Sequence, residues 1–197
     1  FINMKNFEVY IEDRFEDISL EFLIDSKKLK IFLNKGTSFG SSHDTTVLII
    51  EAIKYVYQKI GPVANCLDLG SGSGILSILL SKLNYLNIYA CEIDLHAIDE
   101  SLLNFKSNLK NDYPKFIKEP FYRNDFYNLI VSNISGGYIP NNIVNFSHSL
   151  KKDGFLILSG FNLEKQTHIT NVSLENNLKF VQSFQNKPWI SMIFQKS

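Results

Sequence analysis

At 197 residues, 45% hydrophobic and 20% charged, the chain is long enough to bury one well-formed core and short for two. Lysine plus arginine equals aspartate plus glutamate at 20 each, which leaves no field of one sign to hold a phosphate backbone and disfavours nucleic acid as the main partner. No apolar run approaches the roughly 18 residues of a membrane span, and the start lacks a signal peptide's order, so the expected place is the cytoplasm, with Cys66 and Cys91 as buried reduced thiols.

Residues 18–33 alternate apolar and polar around an Asp25-Ser26-Lys27 break, the pattern of a β-hairpin that lies outside the repeat that follows. From residue 45, Val47, Ile50, Ile53, Tyr57 and Ile60 fall at helical spacing, and Gly61-Pro62 ends the helix. ANCLDL is a short buried strand, followed by a glycine loop, a helix over GILSILLSKL, the strand NIYACEI and a helix from about His96 to Leu109. A short strand is expected near Lys115–Lys118, a buried strand over YNLIVSNI, a helix over IVNFSHSLKK and a strand over FLILSG. This alternation with short connections argues for an α/β fold, a mainly parallel sheet with helices on both faces. LKFVQSF and WISMIFQ are separated by too few residues for a crossover and should pair antiparallel.

The chemistry concentrates where strands end. In LDLGSGSGIL, Gly70, Gly72 and Gly74 sit between a strand and a helix, where open parallel sheets bind ligands and where a missing Cβ lets backbone approach a ligand. Their spacing is Gly-X-Gly-X-Gly, tighter than the dinucleotide fingerprint. With Asp68 just ahead, it suits a ligand whose charged part is an amino acid rather than a pyrophosphate. Glu92 follows Gly70 by 22 positions, close to the interval at which a carboxylate grips ribose hydroxyls, while Asp94 is better placed as a helix N-cap.

Together these features resemble the class I S-adenosylmethionine-dependent methyltransferases over about residues 45–197. Within that superfamily, Phe39-Gly40-Ser41-Ser42-His43-Asp44-Thr45-Thr46 is similar to the Phe-Gly-Thr-Gly-X-His-X-Thr-Thr motif of the ribosomal protein L-eleven methyltransferase (PrmA) family, one residue shorter. Ser132-Asn133-Ile134-Ser135 resembles that family's Ala-Asn-Ile-Leu, and Trp189 its late tryptophan. The resemblance implies a Rossmann-like, mostly parallel seven-stranded sheet ending in an antiparallel hairpin, with residues 1–40 as an N-terminal extension and 41–197 as the methyltransferase domain. It implies S-adenosylmethionine as cofactor, contacts at Thr46, Gly70, Glu92 and Asn133, and a catalytic role for Asn133. Asp68 and Gly72 join the cofactor-binding candidates from the glycine loop, and no metal is expected. On the acceptor side the chain departs from the family: Asp44 replaces the usual proline, Ser135-Gly136-Gly137 follows Asn133, and only some 40 residues precede the motif.

The implied reaction moves a methyl group to a protein amine, possibly on a ribosomal protein, or to a small-molecule amine. A lysine with pKa about 10.4 costs roughly 4.6 kcal/mol to neutralise at pH 7, an α-amine at about 7.8 only about 1, so an α-amine or a desolvated lysine is the natural nucleophile. Two other readings stand beside this one, a non-catalytic S-adenosylmethionine-binding adaptor and an RNA methyltransferase. His43 serves either as a base or as a loop-shaping residue; His96, His148 and His168 have no metal spacing, and the aromatics Phe121, Tyr122, Phe126 and Tyr127 border the ligand or fill the core.

Overall fold

The computed structural model describes residues 2–3, 9–13, 17–24, 27–34, 44–121, 123–135 and 137–197. The expected hairpin is present as β3 (Asp17–Ile24) and β4 (Lys27–Asn34), paired antiparallel from Asp17 opposite Asn34 to Ile24 opposite Lys27. Its alternation buries Ile18, Leu20, Phe22, Ile24, Ile31 and Leu33 on one face. On the other, Glu21 bridges Lys28 at 2.5 Å and Lys30 at 3.0 Å, and these cations hold its carboxyl below the usual range. Two further strands, β1 (Ile2–Asn3) and β2 (Val9–Asp13), extend it to a four-stranded antiparallel sheet of order β1-β2-β3-β4, more than the hairpin legible in the sequence. The buried face of β3 and β4 joins the apolar cluster of the larger unit rather than forming a core of its own.

That larger unit alternates strand and helix as expected. Its elements are α1 (Asp44–Ile60), β5 (Ala64–Leu69), α2 (Ile75–Lys82), β6 (Leu86–Cys91), α3 (Leu95–Asn108), β7 (Lys115–Ile117), β8 (Tyr127–Asn133), α4 (Tyr138–Ser149), β9 (Leu150–Asn162), α5 (Gln166–Glu175), β10 (Leu178–Asn186) and β11 (Trp189–Lys196). The sheet order is β10-β11-β9-β8-β5-β6-β7, with β7, β6, β5, β8 and β9 parallel and β10 and β11 antiparallel. Successive side chains take opposite faces: Cys66, Leu129, Val131, Phe155 and Ile157 pack in one cluster with α1 and α2, and Leu67, Ile130, Leu156 and Leu158 in another with α4. Each such fully buried aliphatic side chain contributes about 1.5–3 kcal/mol.

Three expectations need adjustment. The stripe read along α1 is too narrow at its start, where Leu48 and Ile49 are also fully buried, and too long at its end, where Ile60 is 42% exposed. Helix α4 begins at Tyr138, ahead of the expected Ile143, because Pro140 falls in its first turn, where a missing N–H costs nothing. It ends at Ser149, and Leu150-Lys151-Lys152 open β9 instead. Helix α5 has no counterpart among the expected elements: it buries only Ile169 and Ser173, too little apolar pattern to read.

Candidate active site

Strand order reverses at β5: the chain leaves it to build β6 and β7 on one side, then returns to lay β8 on the other. Such a switch point opens a crevice beyond the carboxyl ends of the strands. A cleft of about 840 Å³ lies there, walled by the glycine loop, by Glu92, Ile93 and Asp94 after β6, by Lys118 and Pro120 after β7, by Asn133, Ile134, Ser135 and Tyr138 after β8, and by Gly160 of β9.

The loop is tied down from several sides. The N–H groups of Gly70 and Ser71 donate to the Cys91 carbonyl at 2.8 and 3.1 Å, and that of Gly74 to the Ser71 carbonyl at 2.8 Å. Gly70 and Gly74 take φ of +72° and +79°, and a Cβ on Gly70 would run into the Ile134 side chain, one on Gly74 into Phe105 at 2.6 Å. Both glycines therefore answer to the protein's own packing, and Gly70 also lines the cleft. Gly72, at φ +52°, lines the cleft and donates its N–H to Glu92 Oε2 at 2.9 Å.

Glu92 lies one residue beyond the strand that the sequence suggested it would end. Its Oε1 accepts the N–H groups of Ile93 at 2.7 Å and Asp94 at 3.1 Å. A carboxylate offers about four acceptor positions, so three are already engaged by backbone. Asp94 caps α3 as expected, accepting the His96 N–H at 2.9 Å. Between them Ile93 stands 89% exposed at the cleft, an apolar wall that no sequence pattern distinguished.

Asp68 does not line the cleft. It is fully buried beneath the loop, and its Oδ2 accepts the Ser77 N–H at 3.0 Å and the Ser77 hydroxyl at 2.7 Å, anchoring the start of α2. Burial pushes its carboxyl up to about 7 against the lowering effect of those two donors. Because the folded pKa lies above the unfolded value near 4, the native state holds the extra proton, and stability present at low pH is lost as pH rises from about 4 to about 7. Asp68→Asn, which removes the titration, is expected to gain on the wild type across that window by up to about 4 kcal/mol. Urea unfolding midpoints of both proteins from pH 4.5 to 8 check it; parallel curves contradict it.

Thr46 is likewise fully buried and outside the cleft wall; its hydroxyl accepts from Asn133 Nδ2 at 3.2 Å. The bond fixes which way the amide points. Asn133 lines the cleft, and its buried Oδ1 has no hydrogen-bond partner among the described residues. A buried acceptor left without a partner costs about 1–3 kcal/mol, and a donor that reached it would recover that cost. Cys91, also in the wall, is a neutral thiol: burial pushes it up to about 11, and its Sγ donates to the Lys118 carbonyl at 3.9 Å.

The remaining candidates separate. Residues 39–43, including His43, and Tyr122 lie outside the described residues. Phe121 packs edge-on against Phe146 and Phe126 against Tyr89, both partly buried against the core, and the Tyr127 hydroxyl donates to the carbonyl of Pro120 at 2.9 Å, fixing one cleft wall from behind. His96, His148 and His168 are exposed, and among the described residues no group of three His, Cys, Asp or Glu is placed to hold a metal. Trp189 opens β11 opposite Asn162 and does not line the cleft. Among the described residues no helix is long and apolar enough to cross a membrane.

Comparison with known proteins bears on this arrangement. A family model for the ribosomal protein L11 methyltransferase (PrmA) matches residues 9–197. The chain belongs to that family. Among PrmA relatives, it is 29% identical over 175 residues to the ribosomal protein L11 methyltransferase of Staphylococcus epidermidis, covering 87% of this chain and 55% of that protein. To the Dictyoglomus turgidum protein of the same name it is 30% identical over 176 residues, covering 85% and 56%. The chain thus spans about half the length of the curated relatives it matches. Among solved structures it superposes on the ribosomal protein L11 methylase of Lactobacillus delbrueckii subsp. bulgaricus with a TM-score of 0.74 and 27% identity, over 84% of each chain. The Thermus thermophilus 16S rRNA N2 G1207 methyltransferase, at TM-score 0.65 and 19% identity over 93% of this chain and 52% of that one, shares the fold.

Proposed function

We propose that this PrmA-family chain is a cytoplasmic S-adenosylmethionine-dependent N-methyltransferase acting on a protein amine, with residues 41–197 as its catalytic unit and residues 1–40 as an extension. The observation that carries this reading is Asn133, which lines a cleft framed by a glycine loop and Glu92 and whose buried Oδ1 has no donor among the described residues. The donor set fits the cofactor. Glu92 takes ribose: Oε2 has an acceptor position to spare, and gripping both hydroxyls requires release of the Ile93 or Asp94 N–H from Oε1. Ile93 offers an exposed apolar face to the adenine, and Gly70 and Gly72 let the backbone close on the amino-acid end. Asp68 and Thr46 act from behind, one holding α2 under the loop and the other aiming Asn133.

The cofactor, when bound, supplies an already activated methyl group, so the protein's task is to deliver a neutral amine in line. Asn133 Oδ1 accepts one N–H of that amine and leaves its lone pair free to attack; the apolar wall disfavours the ammonium form. An α-amine, about 1 kcal/mol from neutrality at pH 7, is the easier acceptor than lysine. A panel of peptides with free α-amines, lysine peptides and ribosomal proteins, assayed with labelled S-adenosylmethionine, tests this. Asn133→Ala is expected to lower methyl transfer by about a hundredfold or more while weakening cofactor binding much less. Equal turnover by the variant, or no turnover on any amine by a protein that binds the cofactor, contradicts it.

A further inference from the structure

A polar link outside the cleft joins two parts of the fold that lie far apart in the sequence. In the four-stranded sheet, β4 is an edge, and edge strands expose unpaired N–H and C=O groups. Helix α3 lies against this edge and meets it with side chains. Asn108 Oδ1 accepts the Phe32 N–H at 2.9 Å and its Nδ2 donates to the Phe32 carbonyl, as a neighbouring strand would. One turn earlier, Asn104 Oδ1 accepts both the N–H and Nδ2 of Asn34, at 2.9 and 3.0 Å. The match is geometric: four residues on a helix rise about 6 Å, and two on a strand about 6.6 Å.

Asn104 does one thing more. It is fully buried, and its Nδ2 donates to the carbonyl of Ser73 at 2.9 Å, inside the glycine loop. Ser73 stands between Gly72, whose N–H reaches Glu92, and Gly74, where Phe105 and Ser101 of the same helix leave no room for a Cβ. The Ser73 carbonyl sets the plane of the Ser73–Gly74 peptide, so the bond from Asn104 fixes the loop's tilt toward the cleft.

We propose that Asn104 is a positioning residue that holds the glycine loop for its ligand and couples the order of the N-terminal sheet to occupancy of the cleft. This rests on the cofactor reading above. By reciprocity, a ligand that fixes the loop also fixes the Asn34 end of β4, and loosening that end weakens the ligand.

The test measures S-adenosylhomocysteine binding by calorimetry and amide exchange at Phe32 and Asn34 in the whole chain. Asn104→Asp keeps the acceptor for Asn34 and sets a carboxylate against the Ser73 carbonyl. It is expected to weaken binding at least about tenfold and to abolish the ligand-induced slowing of exchange at Asn34. Asn108→Ala, which frees Phe32 without touching the loop, is expected to lower Tm yet bind within about twofold of wild type. Asn34→Ala, at an exposed strand end, keeps the test open should the aspartate variant fail to fold; a loss of about threefold is expected. Binding indifferent to Asn104 and Asn34, or weakened equally by Asn108→Ala, overturns the inference alone. A folded wild type that binds no S-adenosylhomocysteine overturns the cofactor reading and this inference with it.

Discussion

Replacing Glu92 by alanine is expected to weaken S-adenosylhomocysteine binding by about tenfold to a hundredfold, roughly 1.4–2.8 kcal/mol. Two losses add. The ribose hydroxyls lose a charged acceptor. The N–H groups of Gly72, Ile93 and Asp94 also lose their shared partner, which loosens the loop that faces the ligand. Glu92→Gln separates the two effects: an amide keeps one acceptor oxygen, turns the other into a donor facing an N–H, and should recover only part of the affinity. Calorimetry on the three proteins checks the order wild type, then glutamine, then alanine. An alanine variant that binds as well as wild type would remove Glu92 from the site.

Gly160→Ala carries the largest expected effect on stability. Gly160 lies in β9 at φ +94°, where an L side chain is strained, and its added Cβ would fall on the backbone O, C and N of Ile134. Backbone cannot move aside as a side chain can. Strain and displacement together are expected to cost about 3–5 kcal/mol. The segment forced away carries Asn133, which lines the cleft, so cofactor affinity should fall with stability. Gly61→Ala provides the contrast: its φ is +71° but nothing lies within 4 Å of the new Cβ, so only the conformational cost of about 1–2 kcal/mol remains. Chemical denaturation of both variants measures the difference, and equal losses would show that the collision with Ile134 is relieved cheaply.

How much of this was legible in the sequence depends on how local each signal is. The glycine loop, Glu92 beyond β6 and Asp94 as the cap of α3 were readable because each is a fixed spacing along one stretch of chain. The antiparallel ending was readable because the gap before Trp189 is too short for a crossover. Other residues took their roles from contacts that sequence spacing does not encode. The family resemblance implies a cofactor contact at Thr46, and its hydroxyl accepts from Asn133 across the fold. Asp68 reads as a ligand contact, yet Ser77 takes its carboxylate and the cleft lies elsewhere. The hairpin of residues 18–33 reads as an appendage, but its apolar face enters the same cluster as Val47 and Ile78, and Asn104 ties its edge to the glycine loop. Ile93 had no signal at all, since an isolated apolar residue after an acid is common, and only its 89% exposure beside the cleft singles it out.

The claim on which the rest depends is that this cleft holds S-adenosylmethionine. Calorimetric titration of the folded chain with S-adenosylhomocysteine tests it most directly. One site per chain with a Kd in the micromolar range, about −8 kcal/mol, is the result this account predicts. A chain shown by circular dichroism to be folded that gives no binding heat at several temperatures, and no rise in Tm with millimolar ligand, would contradict it.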